Sequence, residues 1–134
     1  MFLADTNIVS ELMRPLPDVG VVQWARRVDQ AGASFTISAI TVDEIIFGLK
    51  WRPNASKMVW FISFLKKAQV LGIDTEIARR AGELRADMAR RGRVRQQPDM
   101  LIAATAQVHA LTLVTRNVRD FDGCGIGLLN PFTA

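Results

Sequence analysis

Four short runs of apolar and β-branched residues recur along the chain, and each is separated from the next by two stretches with helical spacing. That alternation leaves few arrangements besides a mainly parallel sheet with helices packed on its faces. The runs are residues 1–5, 34–38, 70–73 and 111–115, with a short edge strand possible near 126–129. The helical stretches are expected over residues 7–14, 18–31, 41–51, 55–69, 74 to about 92, and from Pro98 through the small-residue run LIAATAQVHA. Pro15 and Pro17, Gly32, and Pro53-Asn54 punctuate them. Thr41 with Glu44 three residues on has capping-box spacing, which would start the third helix at Thr41. On the helix over residues 55–69 the apolar face is expected to hold Met58, Val59, Phe61, Ile62 and Leu65, and Trp24 is expected in the core. The fold class is therefore α/β: a three-layer α/β/α sandwich with a mainly parallel central sheet of four to five strands, one domain over residues 1–134.

Composition narrows the class further. Of 134 residues 49% are hydrophobic, which suits one globular core and is too apolar for a disordered chain. No apolar run nears the roughly 20 residues of a membrane span. The opening Met1 to Asp5 has no basic region before its apolar run, so a secretory leader is not expected and a cytoplasmic location is. Cys124 is the single cysteine, so neither an internal disulfide nor a cysteine-based zinc cluster is available. His109, the single histidine, lies in an apolar stretch and is expected to end a helix against the core. Lysine and arginine outnumber the acids 17 to 13, giving a net charge of +4 that favours a polyanionic partner, nucleic acid above all.

In an open parallel sheet, ligands bind where the carboxyl ends of strands lead into helices. Asp5 ends the first strand, Glu44 lies early in the helix after the second, Asp99 lies in the first turn of the helix before the fourth, and Asn117 and Asp120 follow that strand. Read singly, Glu44 is also a capping-box acid and Asp99 also suits a helix N-terminus. Read together, they place several oxygen ligands at one sheet edge. Clustered carboxylates repel one another unless a cation lies between them, and Mg²⁺ or Mn²⁺ takes such a ligand set. Arg93 and Arg95, in the loop leading to Asp99, are candidates for phosphate contacts. Arg79, Arg80 and Arg85 are expected to form a solvated helix face paired with Glu76, Glu83 and Asp87.

The segments LADTNIVSEL, ISAITVDEIIFGL, PDMLIAATAQVHALTLVTRNVRDF and LLNPF together resemble PIN-domain ribonucleases, most of all the VapC and FitB toxins of bacterial toxin–antitoxin modules. The resemblance implies Mg²⁺- or Mn²⁺-dependent cleavage of RNA, with Asp5, Glu44 and Asp99 as metal ligands. The fourth acidic position of the family falls at Asn117, a departure that Asp120 would offset through water. Thr6, Asn7 and Thr115 are expected to orient these groups, and Asp43 to be solvated. The resemblance also implies a homodimer and a complex with a cognate antitoxin of the VapB or FitA kind, with operator DNA reached only through that antitoxin. Met58, Trp60, Phe61, Phe64 and the exposed-looking Trp51 are candidates for part of the partner groove or of the dimer contact, with core packing the favoured duty for most of them. The competing function is a catalytically weak or inactive PIN module that binds RNA or a protein partner, which Asn117 alone favours.

Other acid-dependent classes fit less well. A haloacid-dehalogenase-type phosphotransferase wants a second Asp two residues after Asp5, where this chain has Asn7, and a later essential lysine. All four lysines lie between Lys50 and Lys67. A response-regulator receiver lacks its acidic pair here, and no glycine-rich phosphate loop is present.

Overall fold

The computed structural model describes residues 1–133. Five strands and six helices follow one another in the expected order: β1 (Phe2–Ala4), α1 (Thr6–Leu12), α2 (Val19–Gln30), β2 (Thr36–Ser38), α3 (Ala39–Trp51), α4 (Ala55–Lys67), β3 (Gln69–Leu71), α5 (Thr75–Arg90), α6 (Gln97–Val108), β4 (Thr112–Val114) and β5 (Leu128–Leu129). A 3₁₀ turn, Val118–Phe121, follows β4. All pairing is parallel. β1 lies against β4 with Leu3 opposite Leu113, β4 carries β5 on its other edge, and β2 pairs with β3. β2 runs beside β1 without a hydrogen-bonded ladder between them, so the expected sheet of four to five strands is five strands in two bonded parts.

Alternation along the strands sends side chains to two faces. Leu3 and Leu113 enter a core built with α5 and α6, from Ile77, Ala81, Leu84 and Met88 to Met100 and Ile102. Ala4 and Val114 enter the other core, with Ile8 and Val9 of α1, Val21 and Trp24 of α2, Ile45 of α3 and Phe61 of α4. Helices therefore cover both faces. Ala103, Ala104 and Ala106 are fully buried on α6, and their small size lets that helix sit close to its neighbours.

Several local expectations are corrected. The third helix starts at Ala39, not Thr41, because the Ser38 hydroxyl accepts the Ile40 N–H at 3.0 Å and caps it first. Glu44 then lies in the second turn, beyond any capping box. Val59 and Ile62 are 67% and 45% exposed, so α4 turns only its Phe61 side fully inward. His109 does end α6, but it is exposed rather than packed on the core. α5 ends at Arg90, and Gly92 takes a positive φ of 76° just beyond it. Trp24 is buried as expected and Trp51 is exposed.

The C-terminal segment docks on the start of α2. Thr133 donates its N–H and its hydroxyl to the Asp18 carboxylate, the latter at 2.6 Å. Asp18 also accepts the Val21 N–H as the α2 cap. Gly20 lets the tail approach: a Cβ there would stand 2.1 Å from the Pro131 carbonyl oxygen. Alanine ordinarily stabilises a helix relative to glycine by about 1 kcal/mol. Here the sign should reverse, and Gly20→Ala is expected to lose roughly 1–3 kcal/mol by forcing the tail off, measurable by urea unfolding.

Candidate functional site

The strand order β3-β2-β1-β4-β5 reverses direction between β1 and β4, and the carboxyl ends of these two strands carry the first site residues. Asp5 leaves β1 and caps α1. Its Oδ1 accepts the Thr6 N–H at 2.8 Å, and its Oδ2 accepts the Thr115 hydroxyl at 2.8 Å and the Asn7 amide at 3.2 Å. Its own N–H donates to the Val114 carbonyl at 2.9 Å, which continues the β1–β4 ladder into the site. The residue is 5% exposed. Burial raises its pKa above the usual carboxylate value; the hydrogen bonds from Thr115 and Thr6 oppose this, and the charges of Glu44 and Asp120 add to it.

Glu44 reaches the same place from α3. Its Oε1 accepts the Thr6 hydroxyl at 2.6 Å, and Thr6 Oγ1 lies 3.0 Å from Thr41 Oγ1. Because Thr6 spends its proton on Glu44, Thr41 is the donor of that pair. The residue that sequence spacing made a helix cap is thus a fully buried support for the acidic site.

Asp99 projects from the first turn of α6. Its pKa is raised to about 6, first by desolvation and then by the charges of Asp5, Asp120 and Glu44, with Arg95 acting against them. Among the described residues its carboxylate takes no hydrogen bond. Asn117 donates its N–H to Thr115 Oγ1 at 3.0 Å and exposes its side chain. Asp5, Glu44, Asp99 and Asn117 line one cleft of about 600 Å³. Asp120, in the 3₁₀ turn, is outside that lining and acts on Asp5 and Asp99 through its charge. A larger, mostly apolar cavity of about 710 Å³, lined by Phe2, Trp24, Phe35 and Leu129 among others, contains no carboxylate.

These donors fit a hard divalent cation. All are oxygens, and their mutual repulsion is what a cation would relieve. Among the described residues no three Asp, Glu, His or Cys side chains form a ready-made cage. A hard ion such as Mg²⁺ takes part of its shell from carboxylates and the rest from water, so a closed cage is not required.

Thr6, Asn7 and Thr115 occupy the orienting positions expected of them, and Asn7 also accepts the Arg116 N–H at 3.2 Å. Asp43 is exposed. Arg93 and Arg95 do not line the cleft. Arg95 donates to the Arg119 carbonyl at 3.4 Å and Arg93 lies 3.9 Å from Asp122, so both tie the loop before α6 to the segment around the 3₁₀ turn. Arg79 pairs with Glu83 and Arg90 with Asp87, and Arg85 is exposed without an ion pair among the described residues; Arg80 departs from the expected solvated face, being half-buried with its Nε unbonded. Sequence reasoning missed Glu11, which is 7% exposed and accepts the Asp18 N–H at 2.8 Å and the Arg14 side chain at 3.2 Å. Its signal was present: Glu11 lies three residues after buried Ile8, on the inner side of α1. Also missed were Arg14, Lys57, Arg116 and Phe132, which line the same cleft.

The PIN domain family matches residues 2–123. The VapC ribonuclease Y4jK of Sinorhizobium fredii is 32% identical over 98% of both chains. Toxin FitB of Neisseria gonorrhoeae is 30% identical over 98% of this chain and 99% of its own. Among solved structures, FitAcB from Neisseria gonorrhoeae superposes with a TM-score of 0.86 at 31% identity, covering both chains fully.

The charge crowding at Asp99 sets a stability prediction. A carboxyl whose folded pKa lies near 6 rather than 3.8 is disfavoured when ionised, so its penalty on folding appears as pH rises from about 3.8 and is complete above about 6. In EDTA, Asp99→Asn should therefore melt higher than the parent at pH 7.5, with the gap closing as pH falls toward 4. Added Mg²⁺ should raise the melting temperature of the parent and do so much less for the variant. Equal melting of the two at pH 7.5 would show that ionised Asp99 carries no such penalty.

Proposed function

The chain belongs to the PIN-domain family, and from that membership we propose that it is the ribonuclease toxin of a bacterial toxin–antitoxin pair. It hydrolyses RNA phosphodiester bonds with Mg²⁺ or Mn²⁺ as cofactor and acts in the cytoplasm. The observation that carries the reading is the sharing of one cleft by Asp5, Glu44 and Asp99, where burial first and the neighbouring acids second raise Asp99 to about 6. The relatives named as VapC ribonucleases and as tRNA(fMet)-specific endonuclease support RNA as the substrate class. The net positive charge suits it.

Asp5 and Asp99 would hold the ion directly, with Glu44 as a further ligand or through a bound water. When bound, it would supply an activated water and neutralise charge on the reacting phosphate. Asp5 is fixed by three donors, so its carboxylate meets the cleft in one orientation. Thr6 does the same for Glu44. Asp99, lacking such partners, is the carboxylate most free to change its protonation and its contacts. Asn117 offers a neutral carbonyl oxygen where many family members have Asp, and Asp120 adds charge from behind.

Solved neighbours support the expected partners. FitAB was solved bound to a DNA fragment, and VapBC from Salmonella typhimurium was solved bound to DNA. By analogy this chain pairs with an antitoxin of the VapB or FitA kind, through which operator DNA is reached, and forms a homodimer. Exposed apolar residues suit such contacts: Phe47 and Trp51 are 65% and 72% exposed and stack with ring centroids 6.0 Å apart. No helix among the described residues is long and apolar enough to cross a membrane.

The second reading, a binding module without catalysis, rests on Asn117. Incubation of purified protein with total bacterial RNA separates the two. Discrete cleavage is expected with Mg²⁺ or Mn²⁺, none with EDTA, and none with folded Asp5→Asn or Asp99→Asn. Thr115→Val, which removes one donor to Asp5, should weaken metal-dependent activity by about 10- to 100-fold. RNA binding by antitoxin-free protein, without cutting under any metal condition, would favour the binding module.

A further inference from the structure

The same cleft that gathers the carboxylates also carries three cations on its rim, Arg14, Lys57 and Arg116. Arg14 is drawn to Glu11. Lys57 and Arg116 have no carboxylate partner among the described residues, although acids stand in the same cleft. For Arg116 the reason is visible. Its guanidinium lies over the Phe132 ring, 4.7 Å from the centroid, and its backbone N–H is bonded to Asn7 Oδ1. Phe132 is held in turn by the docked tail: its N–H donates to Asn130 Oδ1 at 3.0 Å, and the next residue is clamped on Asp18.

An arginine stacked on a ring uses its planar face for that contact and leaves its N–H edge free to donate. A carboxylate-lined cleft repels the polyanion it must cut, and a metal ion would neutralise only its centre. The neighbouring phosphates of the strand therefore need cations that have not collapsed onto the acids. We propose that Arg116, pre-positioned by Phe132 of the C-terminal tail, grips a backbone phosphate of single-stranded RNA flanking the cleft, with Lys57 as a second phosphate contact. The inference rests on the ribonuclease reading and specifies how that site holds its substrate. Arg116 and Lys57 are then substrate-binding residues and Phe132 is a positioning residue.

Fluorescence anisotropy with a labelled oligouridine, in EDTA and over a series of salt concentrations, tests this, with metal-dependent cleavage by the parent measured in parallel. Arg116→Ala should weaken binding by about tenfold, and the slope of log affinity against log salt should fall by about 0.7, the value of one phosphate contact on a single strand. Phe132→Leu keeps the charge, so it should lose roughly two- to fivefold in affinity with the salt slope retained. Phe132→Tyr should restore parental binding. Arg116→Lys, which keeps the charge at an exposed position and so does not endanger folding, should retain the slope and lose affinity. Arg85→Ala, an exposed charge on α5, serves as the control and should bind like the parent. Parental affinity and slope in Arg116→Ala, beside a parent that cuts RNA, would overturn the phosphate grip and leave the ribonuclease standing. An equal loss in Arg85→Ala would also overturn it, since the charge would then act diffusely. A parent that neither binds nor cuts RNA would remove both readings.

Discussion

An aspartate that is 5% exposed at the end of a central strand is tolerable only if its carboxylate oxygens are bonded, and Asp5 obtains those bonds from both ends of the chain. Thr6 and Asn7 come from its own helix, while Thr115 comes from the strand that pairs with β1. The buried acid therefore adds a side-chain bond to the ladder that registers β1 against β4. It also fixes the start of α1, since Asp5 is its cap. Through Thr6 and Thr41 the same network reaches Glu44 on α3.

Asp99 is the counterpart in which the fold accepts strain. It arrives on α6, whose close approach is secured by buried alanines and by packing against α5, so it cannot retreat from the other acids. Its raised pKa measures that confinement. The helix N-terminus gives some relief through its dipole, and Arg95 gives some through its charge. Both are too weak to restore an ordinary value. Stability is forgone at the place where chemistry needs convergent charge, a recurrent pattern in functional sites.

The alternation of strand runs with paired helical stretches made the layer order and the parallel sheet legible, because both follow from short-range periodicity. Asp5, Glu44 and Asp99 were legible for a related reason: each lies beside a strand end, and strand ends are local signals. What was not legible depends on contacts between distant residues. Thr41 matched a capping box, yet Ser38 began the helix earlier, and Thr41 was recruited by Thr6 from 35 positions away. Val59 and Ile62 satisfy helical spacing on α4, but that helix turns another side to the core. His109 reads as apolar from its neighbours in sequence, whereas its place after α6 leaves it in solvent. Glycine at position 20 has no local reason at all; the reason is the carbonyl of Pro131.

The docked tail has a consequence for the chain while it is being made. Asp18 waits 115 positions for Thr133, and Asp5 waits 110 for Thr115. Synthesis runs from the N-terminus, so the acids emerge from the ribosome well before the residues that hold them in place. Thr115 and the tail leave the exit tunnel more than a hundred residues after their partners. Until they do, Asp5 lacks its strongest side-chain donor and Arg116 lacks its ring. The cleft can therefore assemble only after residues from both ends of the domain have emerged, and the N-terminal half alone carries its acids without the groups that orient them.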